Sequence, residues 1–453
     1  MKIAVIGSGI SGLAAAWLLA RAHEVTVFEA EARPGGHSNT LIAPTPKGPV
    51  AVDTGFIVFN DFTYPNFTAL LKRLQVKTEA TDMSFAASLD GGDYEYAGGR
   101  GLSGFFGQPE NILRPRHWRL LTGIIAFVTR AARDADRLPE TVSLGAYLQQ
   151  AGFSQIFIRD HILPMGAAIW STPAEKMLDY PARAFIRFFA NHGLLRLSGH
   201  ARWRTVTGGS REYVRRLIAD GGFAMRLSSP VTRVAPTSDG RVSVNTAAGS
   251  EMFDEVVIAT HSDQALAMRA EPSAAERALL GAVRYIPNRA VLHSDPALMP
   301  KRRRVWAAWN YLAAASSAQP AGAEPGLPTV TYWMNRLQNL DCGRELFVTL
   351  NPPEDLPISN IIADLNYAHP AFDAAALSAQ RVFWHEQGRN RIWYCGAWLG
   401  AGFHEDGLQA GLAVAEAIGG VRRPWTVKNE SSRISLHHLP QRPAPTPLTE
   451  DAA

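Results

Sequence analysis

The chain is poor in cysteine. Cys342 and Cys395 are the two in 453 residues, too few for a disulfide framework and without the clustered spacing of a metal–thiolate site, which fits a reducing cytoplasm and a protein with no metal. It also lacks an uninterrupted apolar run of spanning length, which argues against a transmembrane helix. No charged leader, apolar core and cleavage site precede the first strand-like run, so no secretory signal is expected. Net charge is small: 45 Lys and Arg face 41 Asp and Glu, leaving +4 and a pI near 9.1. No basic helix-turn-helix, zinc module or RNA-binding signature accompanies that excess, and nucleic acid is not an expected partner. What remains is a chain of 46% hydrophobic residues, long enough for two intertwined domains around a large buried cofactor.

The most informative stretch is the first forty residues. Lys2 to Ile6 reads as a buried parallel strand, and Gly7, Gly9 and Gly12 follow as G-x-G-x-x-G at the turn into a helix from Ser11 to Arg21. Gly7 allows the tight turn, Gly9 lets the backbone approach a pyrophosphate, and Gly12 lets the helix pack closely on the strand. The helix N-terminus then faces the phosphates. A second strand-like run, Glu24 to Phe28, ends at Glu29, about twenty residues beyond the glycines, where a ribose-binding carboxylate belongs.

Arg33, Gly35 and Gly36 continue as R-x-G-G, followed by His37, Ser38 and Thr40. With this loop the chain resembles the flavin amine oxidase and phytoene desaturase superfamily. The resemblance implies noncovalent FAD, held at Gly7, Gly9, Ser11, Gly12, Glu29, Arg33, Gly36, His37 and Ser38. Many members have arginine at the position of His37, so the phosphate contact here is expected to be weaker and pH-dependent. Asp53-Thr54-Gly55 falls where the superfamily places a D-x-G segment against the flavin, which adds Gly55 and Phe56; an ordinary hairpin turn is the plainer reading. Val231 is expected beside the adenine. Tyr394 to Gly420 resembles the C-terminal FAD motif, with Gly396 near the ribitol and a helix opening at Gly402-Phe403-His404-Glu405-Asp406-Gly407 aimed at the flavin pyrimidine. Ala397 and Trp398 stand where relatives often carry an acid.

The implied fold is α/β: a doubly wound, discontinuous Rossmann-like FAD domain (1–75, 205–265 and 385–422) with an inserted α+β substrate domain (76–204 and 266–384). Residues 423–453 read as a Pro-rich, polar tail. The segments D-T-G-F-I-V-F-N, A-x-W-N-Y, T-Y-W-M-N and G-F-H-E-D-G look most like bacterial FAD-dependent oxidoreductases associated with fatty acyl chains, including desaturases of methyl-branched lipids. Two stretches, Ile112 to Arg133 and Arg183 to Arg204, mix arginine with aromatics and read either as core helices with solvated arginines or as helices lying on an anionic membrane, at the inner face of which a cytoplasmic protein would be peripheral.

For chemistry, monoamine oxidase relatives hold a lysine near the flavin and an aromatic cage. Ile286 to His293 contains no lysine, and Phe403 stands where a cage tyrosine often falls. The expected activity is therefore dehydrogenation of a long-chain, apolar acyl lipid, with amine oxidation and nucleotide binding without turnover as rivals. Trp309, Tyr311, Tyr332 and Trp333 are expected either to line an apolar substrate tunnel or to be plain core. His404 and Glu405 are the ionisable candidates for catalysis, or else a helix cap. His161 and His293 read as structural.

Overall fold

The computed structural model describes residues 1–99, 101–195, 202–313, 326–354, 356 and 358–437. Lys2–Ile6 is a central strand. It pairs in parallel with Glu24–Phe28 on one side and Glu255–Ile258 on the other, and Ala224–Arg226 and Ile392–Tyr394 complete a five-stranded parallel sheet. These strands come from three separated parts of the chain. Four of them are buried on both faces, which is why they read as near-continuous apolar runs without alternation, while Ala224–Arg226 at the sheet edge is mostly exposed.

Helix Ile10–Leu19 has every residue buried. It is covered on its outer side by helix His404–Ile418, and glycine makes both contacts possible. A Cβ at Gly12 would lie 2.0 Å from the Gly7 carbonyl oxygen, and one at Gly411 would lie 2.1 Å from the Ser11 carbonyl oxygen. The α/β architecture is as expected.

The second sheet has seven strands in the order Ile361–Ala371, Arg284–His293, Phe347–Leu350, Thr329–Trp333, Trp309–Leu312, Phe85–Leu89 and Tyr94–Gly98. All pairs are antiparallel except Trp309–Leu312 beside Phe85–Leu89. The hairpin of the last two strands had no signal in the sequence, because it is buried on both faces and so does not alternate. Ser273 caps helix Ala274–Leu280 in a capping box with Glu276.

Two expectations change. Arg183 to Arg204 is not one helix: Ala182–Asn191 is helical, 196–201 lie outside the described residues, and Trp203–Val206 is a strand between Val58–Asn60 and Thr78–Ala80. Arg204 is held in that sheet by Thr78 at 2.8 Å. The chain is also not a tail from Arg423 onward. Arg423 is 3% exposed and binds Glu416 and Asn66, Trp425 stacks on Trp17 at 5.7 Å, and Arg433 reaches Asp406. A run poor in apolar residues is ordered here by arginines that find buried carboxylate partners; 438–453 lie outside the described residues, as does nearly all of the Ala/Pro/Gly-rich loop expected near 313–326. No helix among the described residues is long and apolar enough to cross a membrane.

Candidate active site

Gly9 is the N-cap of helix Ile10–Leu19 and has no side-chain cap. The helix therefore presents its first N–H groups without a capping side chain, and a Cβ built on Gly9 meets no atom within 4 Å. Across this space Gly36 closes on Gly9, its own Cβ position lying 3.2 Å from the Gly9 Cα. An uncapped helix start, an open glycine face and a second glycine loop fit an anionic diphosphate. Arg33 braces that loop by donating to the Gly36 carbonyl at 2.9 Å while pairing with Glu31 at 3.1 Å. Glu29 accepts from the Ser8 and Glu31 amides, each at 2.9 Å, which fixes its carboxylate at the strand end for a ribose. The segment before Val231 runs alongside, with the Ser229 amide donating to the Glu29 carbonyl at 2.8 Å. These residues fit the nucleotide half of FAD.

Gly55 has a different partner from the one expected. Its missing side chain admits the His37 carbonyl, which a Cβ would approach to 2.2 Å and to which the Phe56 amide donates at 2.9 Å. The D-x-G segment thus clamps the R-x-G-G-H loop. Behind it the buried Asp53 carboxylate accepts from Ser210, Thr40 and Gln338. Gly396 likewise makes room for protein: a Cβ there would lie 2.3 Å from the Trp398 indole nitrogen, which donates to the Thr260 carbonyl at 3.2 Å. Trp398 fills this corner, where the resemblance had implied an acid. Cys395, next to it, is buried, and burial pushes its thiol up to about 12, so it is a poor nucleophile.

At the start of helix His404–Ile418, the first three residues separate in role. His404 stacks on Phe56 with centroids 3.7 Å apart, and its Nε2 lies 2.8 Å from the Tyr213 hydroxyl, which is itself 2.5 Å from Ser38 Oγ. Burial, with His37 nearby, pulls the His404 imidazole down to about 3, so it is neutral at ordinary pH. Glu405 is fully buried and accepts from the Asn66 amide and side chain, the Phe67 amide and Gln409. It caps the helix Pro65–Arg73 from outside, which corrects its placement among the catalytic groups. Asp406 accepts from the Phe403 amide at 2.8 Å and pairs with Arg433, so its side chain caps its own helix and does not face a cofactor.

The aromatic set divides by strand parity. Trp309 and Tyr332 are cross-strand partners with rings 5.0 Å apart, and Tyr311 shares their face. Trp333 points the other way, packing on Trp306 and donating to Glu345, so it does not belong to a tunnel with the other three. A second aromatic group was hidden in the Arg183 to Arg204 stretch. Phe188 packs on Phe403 at 4.8 Å, His192 stacks on Phe188 at 3.8 Å, and Trp170 lies 4.6 Å from Phe188. Phe185, Phe188, Phe189 and His192 recur at helical spacing, a signal of an inward face that the arginines obscured. His192 Nδ1 donates to the Phe188 carbonyl, leaving Nε2 as an acceptor; that atom and the Trp170 Nε1 are buried with no partner. His161 and His293 are structural, bonded to Tyr96 and Thr349 respectively.

A family profile described as flavin containing amine oxidoreductase matches residues 10–296. Among solved structures, the chain is similar to a CLA-producing fatty acid isomerase from P. acnes, at 16% identity and TM-score 0.66 over 92% of this chain and 97% of that one. It is similar to cyclohexylamine oxidase from Brevibacterium oxydans, at 14% identity and TM-score 0.64 over 92% and 99%. A putrescine oxidase bound to putrescine matches at 16% identity and TM-score 0.62, again over 92% and 99%.

Proposed function

The chain belongs to the flavin-containing amine oxidoreductase family and is an FAD-dependent oxidoreductase, and from that premise we propose that it removes two hydrogens from a long, apolar fatty acyl chain. The observation that carries this reading is the wall beside the C-terminal helix start, where Phe403, Phe188 and Trp170 pack together. Bound FAD supplies the electron sink for C–H oxidation. The protein's share is placement: the Gly9 and Gly36 loops hold the diphosphate, Glu29 the ribose, and Val231 the adenine side. Phe403 and Phe188 exclude water and take up acyl methylenes, each buried CH2 contributing about 0.8 kcal/mol. The unpartnered Trp170 Nε1 and His192 Nε2 offer one donor and one acceptor to the polar end of such a substrate. His404, fixed by Tyr213 and Phe56, positions the reacting end of the substrate as a neutral imidazole.

The fatty acid isomerase shows that this fold can act on a fatty acid. The amine oxidases of the same fold favour the rival reading, but strand Arg284–His293 carries no lysine and Phe403 offers no phenol for a cage. A nucleotide-binding protein without turnover is set aside by the family membership.

The surface supports access to lipid. Leu102, Ile112, Leu113, Trp118 and Ile125 are exposed, Leu113 by 87%, and Arg119 lies among them. Apolar side chains interleaved with basic ones suit an anionic membrane interface. Arg116 does not take part, because it is bound to Asp160 at 2.6 Å and to Asp90 at 2.5 Å. Lipid mass spectrometry of cells with and without the protein tests the substrate: an acyl species two hydrogens lighter, present only with the protein, is expected, and unchanged lipids contradict the reading.

A further inference from the structure

Three imidazoles from distant parts of the chain meet beside the diphosphate cradle. The His37 ring centroid lies 6.1 Å from that of His261 and 5.7 Å from that of His369. His37 follows Gly36, the residue that closes on Gly9. His261 follows Ala259 and Thr260, the residues that a side chain at Gly7 would strike. His369 comes from strand Ile361–Ala371 of the second sheet, which also sends Tyr367 against His37 at 5.0 Å. The trio therefore joins the two sheets at the cradle. No group of three His, Cys, Asp or Glu among the described residues is disposed to hold a metal ion, and no carboxylate pairs with these rings among the ion pairs of the described residues.

We propose that His37, His261 and His369 form a proton-loaded counter-charge for the FAD diphosphate, so that binding the cofactor draws protons from solvent onto this cluster. The proposal rests on the FAD reading of the same site. Without a ligand the cluster is held neutral. Burial is the largest cause for each ring, taking His37 to about 3 and His369 to about 4 and lowering His261, and the three rings also oppose one another's charging.

The groups facing the cluster do little to offset this. Arg33 adds positive charge beside His37 while paired to Glu31, and His404 on the C-terminal helix is itself neutral. Asp263 on helix Ser262–Met268 favours charging of His261, which stacks on Tyr285 of strand Arg284–His293 at 4.3 Å. Tyr285 and Tyr367 are phenols raised by burial and stay neutral. A diphosphate brings two negative charges to this half-buried group of imidazoles, and opposite charges at short range favour the protonated imidazole. The three rings together then share two protons taken from water, which match the ligand's two charges, while Arg33 in the same loop stays paired to Glu31. The sign follows from linkage: affinity rises as pH falls through the raised imidazole values, by at most about tenfold per pH unit for each proton taken up.

The test is FAD binding to the cofactor-stripped protein at about pH 8 and about pH 6, with calorimetry at the lower pH in two buffers of different ionisation heat to count protons. The wild type is expected to bind FAD at least about threefold more tightly at the lower pH, with net proton uptake. The His261→Gln/His369→Gln double variant should lose most of that pH dependence and most of the uptake. Equal affinity at both pH values with no buffer-dependent heat would overturn the proposal, as would a double variant that keeps the wild-type slope. If the variant does not fold, proton uptake by the wild type alone decides. Failure of FAD to bind at either pH would instead strike the cofactor reading on which the proposal rests.

Discussion

The imidazole of His404 lies face to face with the ring of Phe56, 8° from parallel, while its Nε2 meets the Tyr213 hydroxyl. One ring is thus fixed in both position and tautomeric partner by the nucleotide unit. His404→Ala should retain FAD and, by loosening the placement of the reacting end, slow substrate-dependent flavin reduction by about a hundredfold. Because burial holds this imidazole near 3, the wild-type reductive rate should show no inflection from His404 between about pH 5 and 8. Stopped-flow bleaching beside a melting curve separates the roles: a normal rate with a lowered melting point would make the residue structural only.

Gly9 and Gly12 should respond oppositely to alanine. At Gly9 the added methyl enters open space, whereas at Gly12 it would sit 2.0 Å from the Gly7 carbonyl oxygen. Gly9→Ala should fold with an unchanged apoprotein melting point and bind FAD poorly. Gly12→Ala should lose stability, by about 1–3 kcal/mol or more, whether or not FAD is present. Calorimetric melting of both apoproteins, with FAD content after reconstitution, checks the pair.

Glu405 is expected to matter for folding alone. Glu405→Ala strands the buried amides of Asn66 and Phe67, which now donate to it, at roughly 1–3 kcal/mol for each unsatisfied donor. The melting point should fall while the rate of flavin reduction in the surviving fold stays normal. A slowed reduction at full stability would return Glu405 to the chemistry.

The nucleotide site was legible because its constraints are local: a strand, three glycines, a helix and a carboxylate lie within thirty residues, and each is demanded by one ligand. The rest depends on pairings across the chain. His37, His261 and His369 share no window, and nothing local joins Glu405 to Asn66 or Asp406 to Arg433. Trp309 and Trp333 were legible together as tunnel lining or as plain core, and parity sends Trp333 to the opposite face because its strand continues the pleat. Phe188 and His192 were legible by spacing, but arginines on the outer face left a core helix and a lipid-facing one equally open, and the structure turns their face inward.

The exposed apolar patch leads to a surface prediction. Reversible sedimentation with anionic vesicles at low salt is expected, and Arg114→Glu/Arg119→Glu should weaken it roughly thirtyfold or more, at about 1 kcal/mol per basic residue. Arg116→Glu should instead lower the melting point, through its pairing with the buried Asp160. Equal binding by the wild type and the Arg114/Arg119 variant would remove the electrostatic part of the membrane reading.

Anaerobic titration of the reconstituted holoprotein, with acyl lipids and with primary amines in parallel, tests the account most directly. The visible flavin band should bleach with a long-chain acyl lipid and yield a product two hydrogens lighter, while amines leave the band unchanged. Bleaching by an amine, with no response to any acyl lipid, would contradict the proposed substrate and make the Phe403 wall an unusual amine cage.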